Sequence, residues 1–281
     1  MVVDAHHHLW DPAHRRYPWM AGDALAPIRR RFDAGDLKPL LDASGIDRTV
    51  VVQTVSSLKE TREFLQTAVE NDFIAGVVGW VDLTDRSVAK TIAGLKTSKG
   101  GSFLVGIRHQ VHDEPDPEWL LREDVQRGIA AVGEAGLVYD ILVRTRELPA
   151  AVETVKRHPG VSFVIDHAAK PRIAAGAWDA EWEKALAPMA GHANVTCKLS
   201  GLVTEADWKS WAPGQLEPYV NRVLDWFGPE RCMFGSDWPV CLLAASYAEV
   251  VETMRSIVGD DANVFGETAT RVYGLERGHP T

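Results

Sequence analysis

Eight short apolar runs divide the chain at regular intervals, and patterns typical of helices lie between them. Most of the runs are almost continuously apolar, which is typical of strands buried on both faces of a parallel sheet. Eight alternations of strand and helix predict an α/β fold, a single (β/α)8 TIM barrel, and 281 residues is an ordinary length for one. The runs span residues 2–6, 48–53, 73–82, 104–110, 137–144, 161–167, 194–201 and 231–237.

Only one segment interrupts this regular alternation. Residues 10–35 form a long, aromatic and proline-rich stretch directly after the first strand. Long loops in compact domains are usually functional, so the segment is expected to be a lid over the barrel mouth or a surface excursion packed on its end. No linker or low-complexity tract breaks the chain, and we predict one domain over residues 1–281. Ser57 and Glu60 predict a capping box before the second helix.

Composition excludes several classes of function. The formal net charge is −9 and there is no basic run, which argues against binding to nucleic acid or anionic membranes. No apolar stretch approaches the ~20 residues of a membrane span, and no signal peptide is recognisable. The three cysteines lack CxxC spacing, so we expect neither a disulfide framework nor a zinc knuckle, and a reducing cytoplasmic location. A homodimer is the expected assembly.

Polar and ionisable residues cluster where the predicted strands end. In a barrel of this kind the chemistry lies at the C-terminal ends of the strands. The residues found there are His6, His7, His8, Gln53, Trp80, Asp82, Arg108, His109, Arg144, Asp166, His167, Lys198 and Asp237.

The stretch "DAHHHLWD" at residues 4–11 is the most informative of these ends. His6 and His8 are two residues apart, so on an extended strand they point to the same side, and His7 points to the other. Two imidazoles on one face are half of a metal site. The alternative is the remnant of a purification tag, but the stretch continues a strand-like run, whereas tags usually lie outside the fold.

Several of these strand ends together resemble the amidohydrolase superfamily. The matching motifs are "DAHHHLWD", "GVVGWVDL", "VGIRHQ", "IDHAAKP" and "MFGSDWPVC". The chain is most similar to the lactonase branch, which includes L-fucono- and L-rhamnono-lactonase types and pyrone dicarboxylate lactonases. The resemblance runs from Asp4 to the "RVYGL" sequence near the end of the chain.

The resemblance implies roles for individual residues. His6 and His8 would be the metal-binding pair of strand 1. His167 would be the strand-6 histidine and Asp237 the general base, and either or both would be further metal ligands. Strands 4 and 5 read "GIRHQ" and "DILVR" and lack the usual ligands of a second metal. We therefore expect one divalent ion, zinc, or a metal-independent enzyme in which protonated His6, His8 or Arg108 polarises the carbonyl.

Five further strand-end residues are candidates for contacts with a substrate. Arg108, His109 and Lys198 can donate hydrogen bonds to hydroxyl or carboxylate groups. Trp80 can stack on a sugar ring, and Gln53 ends strand 2. For Lys198 an equally good alternative is a buried ion pair with a neighbouring strand-end acid.

These residues predict a hydrolase that opens a sugar lactone by attack of water on the carbonyl, with Asp237 as base and His167 beside it. One alternative is a lactonase for a pyrone or a muconolactone from aromatic catabolism. A second is a metal-dependent decarboxylase on the same barrel, which would need a firmly held zinc ion. A non-catalytic binding barrel is the third, and the presence of Asp237 argues against it.

Overall fold

The eight predicted strands are present and form one parallel sheet whose order follows the chain from β1 to β8. The computed structural model describes residues 1–275, and the last six positions of the predicted 1–281 domain, residues 276–281, lie outside it. The strands are β1 Val3–His7, β2 Arg48–Val52, β3 Ile74–Gly79, β4 Leu104–Gln110, β5 Val138–Leu142, β6 Phe163–Ile165, β7 Val195–Leu199 and β8 Cys232–Phe234.

Helices lie between successive strands, as the alternating pattern predicts. They are α1 Ala34–Ser44, α2 Leu58–Glu70, α3 Val88–Lys96, α4 Glu123–Glu134, α5 Leu148–Arg157, α6 Ala180–Ala190, α7 Leu202–Glu205, α8 Pro213–Phe227, α9 Tyr247–Val258 and α10 Thr268–Tyr273. None of the helices within residues 1–275 is both long and apolar enough to cross a membrane.

Hydrogen bonds between the ends of β1 and β8 close the sheet into a barrel. The Asp237 amide donates to the His6 carbonyl oxygen at 2.8 Å, and the His8 amide donates to the Trp238 carbonyl oxygen at 2.7 Å. The predicted (β/α)8 barrel is therefore confirmed. Closure also brings the residues that follow β8 directly beside the histidines of β1.

The barrel has apolar packing inside and outside the sheet. One cluster of buried residues joins Val3 and Val138, each the first residue of its strand, to Tyr273 of α10. Since these residues lie at the strand starts, α10 covers the N-terminal end of the barrel. A larger cluster packs the outer faces of the strands against the helices. The opposite, C-terminal end is left for polar residues.

The segment of residues 10–35 is folded at the mouth of the barrel. Trp10 and Phe32 pair through backbone hydrogen bonds of 3.1 and 2.9 Å, and short 3-10 helices span Pro18–Met20 and Asp23–Ile28. The side chains of Trp10, Met20, Ile28 and Phe32 are buried. The segment is therefore packed on the barrel, and it also reaches the cavity described below. Its predicted end at residue 35 falls inside α1.

The capping box predicted for α2 is half formed. The Ser57 hydroxyl accepts from the Glu60 amide at 3.3 Å, as predicted. The Glu60 carboxylate does not return a bond to Ser57, because it accepts from the amides of Thr54 and Val55 at 2.8 and 3.2 Å. Glu60 thus holds the chain that leaves β2.

Candidate active site

Three imidazoles surround the Asp237 carboxylate at the C-terminal end of the barrel. Asp237 Oδ1 lies 3.3 Å from His8 Nε2, 3.8 Å from His6 Nε2 and 3.9 Å from His167 Nε2. The two Nε2 atoms of His6 and His8 are 3.2 Å apart. All four side chains are buried. The prediction that His6 and His8 share one face is confirmed by this contact, and His7 instead bonds the Thr49 hydroxyl at 2.9 Å.

His167 and Asp237 reach this position because the backbone turns sharply after β6 and β8. Both strands end earlier than the apolar runs predicted, at Ile165 and Phe234. The four residues from His167 to Lys170 all have φ between +47° and +57°, and Asp237 has φ +57°. Left-handed backbone is costly for residues with a Cβ, and it clusters at functional sites.

A glycine makes room for both side chains. At Gly201, which has φ +64°, a Cβ would lie 2.5 Å from His167 Nδ1 and 3.2 Å from Asp237 Oδ2. The preceding residue, Ser200, places its hydroxyl 2.9 Å from the same His167 Nδ1. The end of β7 therefore both admits and orients the His167 ring.

The other ring nitrogens of the β1 histidines determine which atoms face Asp237. His8 Nδ1 lies 2.8 Å from the Val52 carbonyl oxygen, which can only accept, so Nδ1 carries the proton. His6 Nδ1 lies 3.3 Å from Asp166 Oδ1. With Nδ1 protonated, Nε2 of His8 is the nitrogen that can act as a metal ligand beside Asp237.

Burial and the neighbouring groups together set the protonation states of this cluster. Burial lowers the pKa of His167 to about 4, although Asp237 opposes the shift, and burial lowers the pKa of His6 well below its usual value. Burial alone would raise the pKa of Asp237, but its interactions with His167, His8 and His6 hold that pKa far below the usual range. Asp237 is therefore ionised at neutral pH, while His6 and His167 are neutral.

These residues fit a single divalent ion. His6, His8 and Asp237 bring three potential ligand atoms together. Their separations of 3.2, 3.3 and 3.8 Å are close to the ~3.3 Å edge of a tetrahedron with bonds of ~2.05 Å. Neutral imidazoles and an ionised carboxylate are the forms that bind zinc. A second candidate group, His6 with Asp166 and His167, shares His6 with the first, so it provides no independent second site.

A buried network of opposite charges lies behind the histidines. Lys198 Nζ donates to Asp140 at 2.6 Å and lies 3.0 Å from Asp166 and 3.2 Å from His6 Nδ1. Arg108 donates to the other oxygen of Asp166 at 2.8 Å. Burial alone would raise the pKa of Asp166, but Lys198, His6 and Arg108 together lower it well below its usual value. For Lys198 the structure shows the buried ion pair, which was the alternative to a substrate contact.

A cavity of about 120 Å³ opens directly above this cluster. Four of the predicted site residues line it, and His6 lies just beneath them. The complete lining is His8, Trp19, Thr54, Arg108, Gln110, His112, Asp113, Leu142, His167, Lys170, Asp237 and Val240. A larger cavity of about 730 Å³ lies between residues 9–35 and α2, away from the histidine cluster. We place the chemistry in the smaller cavity, because the buried titratable groups converge there.

The remaining predicted substrate contacts lie away from the cavity. Gln53 is fully buried and donates to the Arg108 carbonyl oxygen at 3.2 Å. Trp80 Nε1 donates to His109 Nδ1 at 3.0 Å, and His109 Nε2 lies 2.7 Å from Glu114. The side chains of these three residues, like that of Lys198, already bond to neighbouring protein groups. They therefore hold the residues at the barrel mouth in place and do not face the cavity.

Several cavity residues were missed by reasoning from the strand ends. Trp19, His112, Asp113 and Lys170 all lie in the connections that follow strands, beyond the last strand residue. A signal was available for Lys170, which is part of the "IDHAAKP" motif. A signal was also available for Trp19, which lies in the aromatic "RYPWM" stretch, whereas His112 carries no local pattern that distinguishes it from an ordinary loop residue.

Comparison with known proteins identifies the family. The model of a family described as amidohydrolase matches residues 3–275. The chain belongs to this amidohydrolase family. A Burkholderia ambifaria protein named L-fucono-1,5-lactonase is 40% identical over 98% of this chain and 96% of its own length. A Burkholderia multivorans protein of the same name is 38% identical over 97% of this chain and 96% of its own length.

A solved structure of an amidohydrolase agrees with the fold of this one. The crystal structure of an amidohydrolase from Burkholderia multivorans with bound zinc has a TM-score of 0.91 and 38% identity. The match covers 98% of this chain and 99% of that chain. The (β/α)8 barrel and the position of its C-terminal mouth are therefore shared with that zinc-bound amidohydrolase.

Proposed function

We propose that this amidohydrolase opens the ring of a sugar lactone, with L-fucono-1,5-lactone as the first candidate substrate. The observation that carries the proposal is the ionised Asp237 carboxylate, which is enclosed by three imidazoles at the floor of the cavity. The names of the two Burkholderia relatives support the choice of substrate.

The residues provide for each step of lactone hydrolysis. A water molecule attacks the lactone carbonyl carbon, and Asp237 accepts the proton that the water loses. Arg108, a permanent cation that lines the cavity, stabilises the negative charge that develops on the carbonyl oxygen. The bond between the carbonyl carbon and the ring oxygen then breaks. Asp237 returns its proton to that oxygen, so the product is the open-chain hydroxy acid.

His6, His8 and Asp237 are the residues that would hold a zinc ion. When bound, zinc lowers the pKa of a water molecule and polarises a carbonyl. The zinc-bound Burkholderia multivorans structure supports this assignment. His167 would then orient the Asp237 carboxylate from the opposite side, with its own ring held by Ser200.

The charges in the cavity favour an uncharged substrate over a dicarboxylate. Each of the two Lys or Arg side chains among the described lining residues already has a carboxylate partner. Arg108 is 2.8 Å from Asp166, and Lys170 is 2.6 Å from Glu205. Arg108 is assigned to the charge that develops on the carbonyl oxygen, so the carboxylates of a pyrone dicarboxylate or a benzoate would meet no further unpaired Lys or Arg among these lining residues. This argues against the pyrone lactonase and the decarboxylase.

A hydrolysis assay with a pH indicator tests the proposal. The panel contains L-fuconolactone, L-rhamnonolactone and 2-pyrone-4,6-dicarboxylate, each with and without a chelator. We expect turnover of the sugar lactones and a loss of about 10²–10⁴-fold in kcat/KM for Asp237→Asn. The matched control is Asp82→Asn, an exposed aspartate after β3 whose carboxylate accepts from the amide and hydroxyl of Thr84.

Other outcomes would point to the alternatives. Turnover of the dicarboxylate alone would establish the pyrone lactonase. Decarboxylation of hydroxybenzoates that depends on zinc, with no lactone turnover, would establish the decarboxylase. The cytoplasmic location and the homodimer expected from the sequence stay predictions. The three cysteines are all buried and unpaired, which is consistent with a reducing compartment.

A further inference from the structure

Two buried side-chain nitrogens, on cavity-lining residues that take no part in the hydrolysis, have no hydrogen-bond partner among residues 1–275. They are Nε1 of Trp19 and Nδ1 of His112, and both residues line the cavity above Asp237. Buried polar atoms in folded proteins are almost always paired, so an unpaired atom on a cavity-lining residue is a candidate to bond a ligand in the cavity. Neither residue has a role in the hydrolysis described above.

The two atoms have complementary hydrogen-bonding capacity. The Trp19 indole N–H can only donate. His112 Nε2 lies 3.4 Å from Asp113 Oδ1, which favours a proton on Nε2 and leaves Nδ1 as an acceptor. Burial, with the positive charges of Lys170, Arg144 and Arg108, lowers the pKa of His112 to about 3, so its ring is neutral. The pair therefore suits groups that both donate and accept, and hydroxyl groups do so.

Trp19 is held firmly by the aromatic residues around it. Its ring lies edge-on to that of Trp10, with centroids 5.3 Å apart. Trp10 is fixed in turn by a 3.0 Å bond from its Nε1 to the Ile28 carbonyl oxygen. Trp10 also stacks on His8 at 6.4 Å, so the segment of residues 10–35 is packed directly against the catalytic floor.

His112 is held by the connection that follows β4. It belongs to a short 3-10 helix, Val111–Asp113, whose first residue is fully buried. The contact of 2.7 Å between His109 and Glu114 joins the two ends of this turn. His109 also stacks on Trp119, with ring centroids 4.2 Å apart. The contacts of His109 with Glu114 and Trp119 thus hold the turn that positions His112.

The two residues approach the cavity from different sides. Trp19 comes from the connection after β1 and His112 from the connection after β4, and these strands are separated by β2 and β3 in the barrel. We propose that Trp19 Nε1 and His112 Nδ1 bind two hydroxyl groups of the lactone and so select a polyhydroxylated ring. This inference rests on the proposed lactonase function and adds the two residues that determine its specificity.

A comparison of kcat/KM for two lactones, one with ring hydroxyls and one without, tests the inference. L-Fuconolactone carries ring hydroxyls, whereas δ-valerolactone has none. We expect Trp19→Phe and His112→Phe each to lower kcat/KM for L-fuconolactone by about 10- to 100-fold. The same variants leave kcat/KM for δ-valerolactone almost unchanged, because that ring has no hydroxyl to lose. A merely structural role would lower both values together.

Two further variants sharpen the result. His112→Asn keeps an acceptor near the position of Nδ1, and it recovers part of the preference that His112→Phe loses. Trp178→Phe is the control for Trp19→Phe, because Trp178 is 39% exposed, bonds Glu183 and is not among the residues that line the cavity. Trp178→Phe leaves kcat/KM unchanged for both lactones.

The assay distinguishes a failure of the proposed lactonase function from a failure of the proposed roles of Trp19 and His112. If the wild-type protein hydrolyses no lactone, the proposed function fails, and this inference fails with it. If the wild type hydrolyses L-fuconolactone but Trp19→Phe and His112→Phe keep the full preference over δ-valerolactone, only this inference is overturned. Equal losses of kcat/KM on both substrates would also overturn it, because they would show that the two side chains support the fold and do not bind the hydroxyl groups of the lactone.

Discussion

Replacement of Gly201 by alanine is a sharp test of how the active site is assembled. Gly201 has φ +64°, where a residue with a Cβ costs about 1–2 kcal/mol. The new Cβ would lie 2.5 Å from His167 Nδ1 and 2.8 Å from His167 Cγ. Ordinary contacts are longer by roughly 1 Å, so the ring has to move by about that distance, at a further cost of ~1–3 kcal/mol.

The expected loss of activity follows from the same displacement. His167 is held between Ser200 and Asp237, and a shift of its ring disturbs the carboxylate that we propose as the base. A misplacement of about 1 Å costs on the order of 10²-fold in rate. We therefore expect Gly201→Ala to lower kcat/KM by about 10²-fold and the free energy of unfolding by ~2–5 kcal/mol in total.

Gly176→Ala is the matched control. Gly176 has φ +74°, but nothing lies within 4 Å of a Cβ built there. This variant has the same backbone cost without the clash, so it loses about 1–2 kcal/mol in urea unfolding and keeps its activity. If Gly201→Ala and Gly176→Ala lose the same stability and both stay active, the assignment of Gly201 as the residue that makes room for His167 is wrong.

Two further predictions concern the charges and the metal. Lys198→Met removes the main cation beside Asp140 and Asp166, so it should lower the free energy of unfolding by about 3–5 kcal/mol. The control is Lys170→Met, which should lower it by ~1 kcal/mol or less because the pair of Lys170 with Glu205 is partly exposed. Similar losses in urea unfolding would contradict the buried network. Titration calorimetry with zinc should give one ion per chain, abolished in His8→Ala and retained in His14→Ala, whose side chain is 84% exposed. Binding of two ions per chain would contradict the single-ion fit.

The sequence predicts the strands and the convergence of several candidate site residues, because both depend on local patterns. Seven of the eight apolar runs contain a complete strand of the barrel, and the first run contains β1 except for its last residue, His7. Two-residue spacing brings His6 and His8 together, since side chains on a strand alternate. Asp237 was found because it directly follows the eighth run, and the ends of parallel strands meet at one edge.

The same reasoning could not distinguish residues that face the cavity from those behind it. Arg108 and His109 are neighbours at the end of β4, yet Arg108 lines the cavity and His109 bonds Trp80 and Glu114 outside it. Lys198 is equally well placed in the sequence, but Asp140 and Asp166 surround it. Which of two adjacent strand-end residues faces inward depends on the tilt of the strands and on neighbours remote in sequence.

The sequence by itself determined the barrel, its direction and the chemical groups at its mouth, because strand periodicity and strand ends are local properties of the chain. Only the tertiary structure placed Trp19 and His112 at the cavity, since each reaches it through a connection whose path depends on packing against other elements. The left-handed backbone at His167 and Asp237 also depends on tertiary packing. Gly201 leaves space for the two side chains, and the closure of β8 on β1 fixes the position of Asp237 beside the histidines.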